Sequence, residues 1–370
     1  MESSSLGPKV INQSFIVISL YIALRWPVSL YSGILTGLER LDILNYLKIS
    51  AGSLRLLGGM LVLMYWGDVY IFLIWNLIST LVEVLLYVIV ILRFIPTISL
   101  GFGASLLELR RVWRFSVSMS LLSILGIFII QIDKLMLTNM MSLKDLGYYN
   151  LAYTAASSIS FIVSAVSSAN IPNFAAVHSQ RNISELLAVY RKADIDVLGL
   201  ASIVAGLLIF YGEQILGIWI NPNTAAQAAL PLVWLSVGFW VSASIANIYN
   251  VAVACGIPGK HLKVNLFAFI PYLLCIYLCI KSFGITGPAI AWLLLNVAYA
   301  LALVRPIQRD LLNESTYRWL RKTISPFLIL TVIACGVPSA LGYLFCPDAD
   351  SFTKKIILFS SLLSSVVLYF

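Results

Sequence analysis

The sequence predicts an all-α, polytopic membrane protein, and three observations lead to that class. First, 60% of the 370 residues are hydrophobic and only 11% are charged, whereas an ordinary soluble domain carries about 25% charged residues. Second, the apolar residues form runs far longer than a strand needs and show no alternation, which favours helices. Third, these runs approach the roughly 20 residues that cross a hydrocarbon core.

About eleven transmembrane helices fit this pattern. The chain is organised around two of them, at 115–141 and 147–170, which a turn at Gly147, Tyr148 and Tyr149 is predicted to join. The second of the two is rich in alanine and serine. In chain order, the predicted spans are 13–36, 49–66, 69–92, 115–141, 147–170, 194–212, 229–254, 262–281, 284–304, 325–345 and 356–370.

Basic residues give these spans an orientation. The connections after odd-numbered spans hold 16 of the 24 lysines and arginines, the other side holds 6, and Arg25 and Arg55 lie inside spans. Because cytoplasmic loops carry the excess of basic residues, the odd connections are predicted in the cytoplasm and the first residue outside. This bias also accounts for the net charge of +8. A nucleic-acid partner is not predicted, because that would need a basic, aromatic-studded soluble face.

Two segments of these connections, 106–112 and 183–190, are partly amphipathic. They could lie flat on the inner membrane surface and direct Arg110, Arg111 and Arg191 toward anionic headgroups. Solvated loops that only fix the topology are the alternative.

No pattern for catalysis or metal binding is found. The two histidines and five cysteines show no metal-ligand spacing. The chain also lacks a Ser or Cys triad, a phosphate-cradling glycine loop and a soluble carboxylate pair. The longest connection, of about 20 residues, is too short for a soluble catalytic domain. The sequence therefore predicts no enzyme, cofactor or metal, and transport remains as the function.

Three charged residues inside the first three spans are candidates for a transport site. Arg25, Arg55 and Glu83 lie roughly 18, 16 and 21 Å from the outer side, so they share a depth. A charge at a helix centre costs roughly 2.5–3.5 kcal/mol unless it faces a partner or a watery cavity. Arg25 and Arg55 could line a cavity and supply positive potential for an anionic ligand, with Glu83 balancing their charge or coupling an ion. An interhelical ion pair, or snorkelling of Arg55, is the alternative.

A further charged pair, Asp133 and Lys134, lies near the outer end of the span 115–141. These residues could form an outer gate by pairing with the other half of the protein, and Asp133 could also couple an ion. They could instead simply mark the interface between helices. The sequence leaves both alternatives open.

Five stretches of the sequence resemble a known family. Residues 131–137 (QIDKLML) and 146–153 (LGYYNLAY) resemble the seventh and eighth helices of the polysaccharide-biosynthesis flippases, in the superfamily that includes the MATE exporters. Residues 282–291 (SFGITGPAIA) resemble the turn into the twelfth helix of that family. The stretches 31–45 and 249–265 share a Tyr, a Gly, a basic residue and an Asn, and they fall at corresponding places of its two lobes.

The resemblance implies a two-lobe bundle with an incomplete N-terminal lobe. Complete family members have fourteen helices, so the first span here corresponds to the fourth, and three helices are expected to be absent from the front. An outside first residue agrees with that expectation. The implied division is a partial N-terminal lobe at 1–92, a cytoplasmic interlobe linker at 93–114, a C-terminal lobe of six helices at 115–304 and two additional helices at 305–370.

The resemblance also implies a function. A flippase of this family moves undecaprenyl-pyrophosphate-linked oligosaccharide repeat units of O-antigen, capsule or exopolysaccharide across the bacterial cytoplasmic (inner) membrane by alternating access. The implied partners are that lipid carrier, the bilayer and other polysaccharide-assembly proteins. The anionic ligand of Arg25 and Arg55 would then be the pyrophosphate of the carrier. A MATE-like cation or drug antiporter would favour acids over arginines in its cavity. A membrane-embedded polymerase or ligase would show a large outer loop, and the outer loops predicted here are short.

Overall fold

The computed structural model describes residues 8–38, 40–94 and 106–340. The chain divides into two compact units, Met1–Ala104 and Ser105–Phe370, which we call the N-terminal unit and the C-terminal unit. The boundary between them falls inside the predicted linker 93–114. Where the structure describes these units, they are built from helices, as the all-α prediction requires.

The N-terminal unit consists of three long helices, α1 (Pro8–Gly37), α2 (Leu41–Trp66) and α3 (Val69–Phe94). Helix α3 packs against both of the others. Gly67 ends α2 in the left-handed conformation, with φ at 60°, and its N–H donates to the carbonyl of Leu63. A glycine accepts this conformation without a side-chain clash, so α3 can begin two residues later.

A small apolar core holds the three helices of this unit together. Leu35 of α1, Leu47 of α2 and Tyr87 of α3 are buried in it. The Tyr87 ring stacks on that of Tyr31, with the ring centroids 6.5 Å apart. Many of the remaining apolar side chains are exposed, as expected for helices that face lipid.

The C-terminal unit contains the larger core. Its long helices α7 and α8 pack extensively on each other, and α8 also contacts α5, α6 and α10. The fully buried side chains of this core include Phe174, Leu198, Leu216 and Leu235. The helices are α4 (Leu106–Met140), α5 (Leu143–Ala169), α6 (Ile171–Ser179), α7 (Ile183–Trp219), α8 (Pro222–Ala254), α9 (Gly259–Phe283) and α10 (Gly287–Tyr299).

The turn between α4 and α5 lies earlier than the sequence predicts. The structure places it at Met141 and Ser142, and Gly147 to Tyr149 belong to α5. Ser142 and Asp145 form a capping box, in which each side chain accepts from the backbone N–H of the other residue. This arrangement satisfies two of the free N–H groups at the helix start, and it places Tyr149 in the core rather than in a loop.

After α10 the described chain alternates between π-helical and α-helical turns. The π-helical segments are Ala300–Val304, Gln308–Leu312, Leu320–Ile324 and Val332–Gly336. Between them lie α11 (Arg305–Ile307), α12 (Thr316–Trp319) and α13 (Ser325–Thr331).

Ion pairs attach this part of the chain to α7 and α9. Lys260 Nζ lies 2.7 Å from a carboxylate oxygen of Asp310, and Arg191 Nε lies 2.7 Å from Glu314 Oε2. Residues 183–190 form the first turns of the bundle helix α7. The expectation of a separate surface segment there, with Arg191 turned toward headgroups, is therefore wrong, because Glu314 is buried and needs a cationic partner. Arg110 and Arg111 belong to α4, and their side chains lie outside the described residues.

The predicted spans can be compared with the helices directly. Within the described ranges, nine helical segments are long and apolar enough to cross a membrane. One of them, Gly259–Leu312, includes the bend at Gly284–Thr286 and so covers the two predicted spans 262–281 and 284–304. Ten predicted spans thus coincide with helices wherever the structure describes them. Residues 341–345 of the span 325–345 and the whole of the eleventh span, 356–370, lie outside the described residues.

Two glycines set the packing of α10. A Cβ atom on Gly287 would lie 2.4 Å from the backbone carbonyl carbon of Cys279 in α9. A Cβ atom on Gly238 of α8 would lie 2.7 Å from the Trp292 ring and 3.3 Å from the backbone of Leu293. Only glycine allows backbones to approach this closely. The close approach positions α10 between α8 and α9.

We predict that Gly287→Ala destabilises the protein by about 1–3 kcal/mol, because its methyl group would meet backbone atoms that cannot rotate away. Thermal unfolding of the purified protein in detergent measures the change. Gly147→Ala is the matched control, since Gly147 is an exposed helical glycine with open space around its Cβ position. The control is expected to be neutral or stabilising by up to about 1 kcal/mol. Equal unfolding temperatures for both variants would contradict the prediction.

Candidate functional site

Two of the three charged residues predicted to share a depth form an ion pair. Arg55 of α2 donates from Nη2 to Glu83 Oε2 of α3. Glu83 is only 6% exposed, and an unpaired carboxylate at that position would carry a large desolvation cost. This contact is the interhelical ion pair that the sequence left open as the alternative to a cavity site, and it holds α2 against α3.

Arg25 lies in a different setting. It is exposed on α1, and its Nη1 donates to the hydroxyl of Tyr21 over 2.9 Å. Its guanidinium carbon lies 5.8 Å from the centroid of the Tyr21 ring. Both contacts are made one helical turn away in the same helix, so they orient the guanidinium without neutralising it.

Asp133 and Lys134 are both engaged by neighbouring side chains of the C-terminal unit. Asp133 is 2% exposed and accepts a hydrogen bond from the hydroxyl of Tyr149 in α5. The Nζ of Lys134 lies 3.8 Å from the ring centroid of Tyr153 and donates to Gln131 Oε1 over 3.2 Å. These contacts join α4 to α5. The proposed gate role of Asp133 and Lys134 stays a prediction.

Asp194 is a buried acid that the sequence interpretation missed. It is 1% exposed and lies in α7. Its two carboxylate oxygens accept from Asn247 Nδ2 of α8 over 3.1 Å and from Trp319 Nε1 over 2.7 Å. The sequence feature that could have indicated this buried acid is its position as the first residue of the predicted span 194–212. The contacts tie α12 to the centre of the unit.

The C-terminal unit also contains a cavity of about 450 Å³ among α4, α5, α8, α9 and α10. Each helix contributes one face, as the spacing of the residues shows. Ser160, Ser164 and Ser167 follow each other on α5 at helical intervals, and residues four and three apart lie on the same side of a helix. The lining residues are Gly126, Ile129, Ile130, Ser160, Val163, Ser164, Ser167, Ser168, Ser242, Ala243, Ile245, Ala246, Tyr249, Asn250, His261, Asn265, Trp292, Asn296, Tyr299 and Leu303.

The lining contains polar side chains among apolar ones and carries no acidic residue, lysine or arginine. It contains five serines, three asparagines and two tyrosines, together with His261 and Trp292. Such groups donate and accept hydrogen bonds without bringing a net charge. A cavity of this kind inside an apolar bundle is suited to an uncharged ligand that is rich in hydrogen-bonding groups.

Local hydrogen bonds decide which lining atoms remain available. Ser164 donates to the carbonyl of Phe161 over 2.9 Å, and Asn296 Nδ2 donates to the carbonyl of Trp292 over 2.8 Å. The Ser164 Oγ and the Asn296 Oδ1 therefore keep their acceptor capacity. The Nδ1 of His261, the Nε1 of Trp292 and the hydroxyl of Tyr299 are buried without a hydrogen-bond partner.

This cavity was not predicted from the sequence. The serine-rich character of the span 147–170 was noted, but the four serines at 160, 164, 167 and 168 also share a helix face. That periodicity is the signal that could have indicated a polar lining. Metal binding has no support in the residues that the structure describes, where no group of three His, Cys, Asp or Glu side chains comes together.

Comparisons with known proteins agree with the architecture. Residues 7–178 match the family of polysaccharide biosynthesis proteins. A Shigella flexneri protein that carries the name of an O-antigen transporter is 23% identical over 198 residues, which are 52% of this chain and 46% of that protein. The lipid II flippase MurJ, in an inward closed conformation, superposes with a TM-score of 0.55 and 14% identity, over 86% of this chain and 64% of that chain.

These matches confirm the resemblance that the motifs indicate. The likeness to MurJ establishes the fold, a polytopic all-α membrane bundle. This chain spans about half the length of the Shigella relative it matches.

We predict that Glu83→Leu lowers the free energy of unfolding by up to about 3–5 kcal/mol, because it leaves the half-buried Arg55 without its counter-charge. The double variant Arg55→Leu/Glu83→Leu removes both charges and is expected to recover most of that loss. Thermal unfolding of the single and double variants in detergent provides the double-mutant cycle. Additive losses in the double variant would show that the pair does not stabilise the unit.

Proposed function

We propose that this chain, a relative of the polysaccharide-biosynthesis flippases in the MATE-like superfamily, translocates lipid-linked oligosaccharides across the bacterial cytoplasmic membrane. The observation that carries the proposal is the uncharged, hydrogen-bonding cavity inside a membrane bundle. An oligosaccharide cannot cross hydrocarbon alone, because each hydroxyl that leaves water without a partner carries a cost of a few kcal/mol. A cavity lined by hydroxyl and amide groups replaces those partners.

The substrate that fits best is an undecaprenyl-pyrophosphate-linked repeat unit. Its sugars would use polar cavity surfaces while its lipid tail stays in the bilayer. Its pyrophosphate requires cations, and Arg25 offers an exposed guanidinium that Tyr21 orients. A guanidinium binds phosphate oxygens in a bidentate manner and keeps its charge when it is desolvated.

Arg55 and Glu83 would act beside Arg25 in the same unit. In the structure they neutralise each other, so Arg55 becomes available to a phosphate only when its contact with Glu83 loosens. Binding of a coupling cation to Glu83 would release Arg55. In this proposal, Glu83 therefore balances the charge of Arg55 or couples transport to an ion.

Transport would proceed by alternating access, in which two lobes rock about a central site. We propose Asp133 and Lys134 as parts of the outer gate, with Asp133 a second candidate for ion coupling. Other polysaccharide-assembly proteins would supply the lipid-linked unit on the cytoplasmic side and consume it outside. The predicted orientation, with the odd-numbered connections in the cytoplasm, belongs to this proposal.

An exporter of organic cations would require carboxylates in its binding cavity. The lining of the cavity in the C-terminal unit contains none, and the buried Glu83, Asp133 and Asp194 are each bonded to a neighbouring side chain. The arrangement therefore favours an oligosaccharide substrate over an organic cation.

We predict that the full chain in proteoliposomes moves an undecaprenyl-pyrophosphate oligosaccharide from the inner to the outer leaflet, and that Arg25→Gln slows this movement about 10- to 100-fold. The loss corresponds to a charge-assisted hydrogen bond of about 1.5–3 kcal/mol. Accessibility of the sugar to an impermeant lectin measures the rate. Arg93→Gln, an exposed arginine at the end of α3, is the control and should leave the rate unchanged.

Two results would contradict the proposal. If the chain gave no more lectin-accessible sugar than protein-free vesicles, translocation by this chain would be excluded. If Arg25→Gln and Arg93→Gln behaved alike in an active protein, the role of Arg25 toward the pyrophosphate would be excluded. Equal unfolding temperatures for both variants ensure that the comparison reports on function.

A further inference from the structure

We infer that the cavity of the C-terminal unit is a saccharide-binding site that prefers uncharged sugars to acidic ones. The inference deepens the proposed function and rests on it for its biological meaning. The site itself is defined by five helices of one unit, so it can bind free saccharide without the lipid carrier. The volume of about 450 Å³ lies within the range of about 300–1,000 Å³ that is typical of ligand pockets.

The hydrogen-bonding pattern of the lining matches a sugar. A sugar hydroxyl is both a donor and an acceptor, so its site must offer both kinds of group. Ser164 Oγ donates its proton within its own helix and still has lone pairs that can accept. Asn296 donates from Nδ2 to the carbonyl of Trp292, and its Oδ1 is an acceptor. Trp292 Nε1 is a donor without a partner, and His261 Nδ1 lacks a partner as well. Leaving such buried atoms unpaired is unfavourable, and ligand hydroxyls would satisfy them.

Aromatic rings form part of the apolar lining, beside aliphatic side chains such as Ile129 and Leu303. Trp292 lies at the cavity and is braced by Phe239, with ring centroids 5.3 Å apart. Tyr249 meets the ring of His261 edge to face, with centroids 4.9 Å apart. The C–H groups on the face of a sugar ring carry a small positive charge and pack well on the negative face of an aromatic ring. Polar edges and aromatic faces together distinguish a sugar site from a simple polar channel.

Selectivity follows from the absence of a cation in the lining. A carboxylate in an acidic sugar loses its hydration on binding, and this cost is repaid only by a paired charge or several charge-assisted hydrogen bonds. No lysine or arginine belongs to the lining. His261, which is 6% exposed, is the titratable base there. A test at pH 8, well above the ordinary histidine pKa of about 6.5, keeps it neutral.

The test compares two trisaccharide probes, galactotriose, which has no carboxylate, and trigalacturonate, which carries carboxylates. Isothermal titration of the purified full chain in detergent at pH 8 measures both. We expect saturable binding of galactotriose and at least about 10-fold weaker binding of trigalacturonate. Asn265→Lys, which places a cation at a half-buried position of the lining, is expected to reverse or abolish that preference.

Variants of the lining locate the site. Asn296→Leu is expected to weaken galactotriose binding about 10-fold, because the variant loses an acceptor and exposes an apolar group to the sugar. Quenching of tryptophan fluorescence by galactotriose should disappear in Trp292→Phe and persist in Trp234→Phe, since Trp234 lies on α8 outside the lining. Unfolding temperatures identify variants that fail to fold, and for those Ser164→Ala serves as the milder substitution.

The outcomes separate this inference from the proposed function. Absence of saturable galactotriose binding, or equal binding of both probes, overturns the inference even if lipid-linked oligosaccharide is translocated in vesicles. Binding that survives unchanged in Asn296→Leu and in Ser164→Ala also overturns it. Selective binding in a chain that translocates nothing supports the site and contradicts the flippase proposal.

Discussion

The satisfaction of polar groups inside hydrocarbon is the constraint on which the rest of this structure depends. Lipid offers no hydrogen-bond partners, so a buried charge must find one in the protein. Glu83 finds it in Arg55, Asp133 in Tyr149, and Asp194 in Asn247 and Trp319. Each of these contacts joins two or more helices, and the polar groups therefore help to fix which helices are neighbours in the bundle.

The cavity of the C-terminal unit is subject to the same constraint, because its polar groups also need hydrogen-bond partners. Its serines and asparagines are satisfied in part by their own helices and keep acceptor atoms for a ligand. Close packing maintains the space, because Gly287 and Gly238 bring α10 against α9 and α8 at distances that a larger residue would not permit. An uncharged surface of this kind, held between closely packed helices, fits the proposed passage of sugars rather than ions.

The proposed function divides the work between two kinds of surface. The N-terminal unit offers arginine chemistry, in which Arg25 is open and Arg55 is held by Glu83. The C-terminal unit offers neutral hydrogen bonding and aromatic faces. A lipid-linked oligosaccharide has one anionic group and several neutral sugars, so both surfaces have a counterpart in the substrate. The similarity of residues 7–178 to the family of polysaccharide biosynthesis proteins agrees with this division.

The sequence by itself determined the class, the membrane spans and the resemblance, because those follow from hydropathy and short motifs along one dimension. It also predicted a shared depth for Arg25, Arg55 and Glu83, since depth is calculated from the rise per residue. Only the tertiary structure decided that the ion-pair partner of Glu83 is Arg55 rather than Arg25. It also decided that the turn before α5 lies at Ser142 and that Arg191 pairs with Glu314. The cavity could not be predicted, because it depends on how each of five helices is rotated about its own axis. Packing sets these rotations, and a single sequence does not record them.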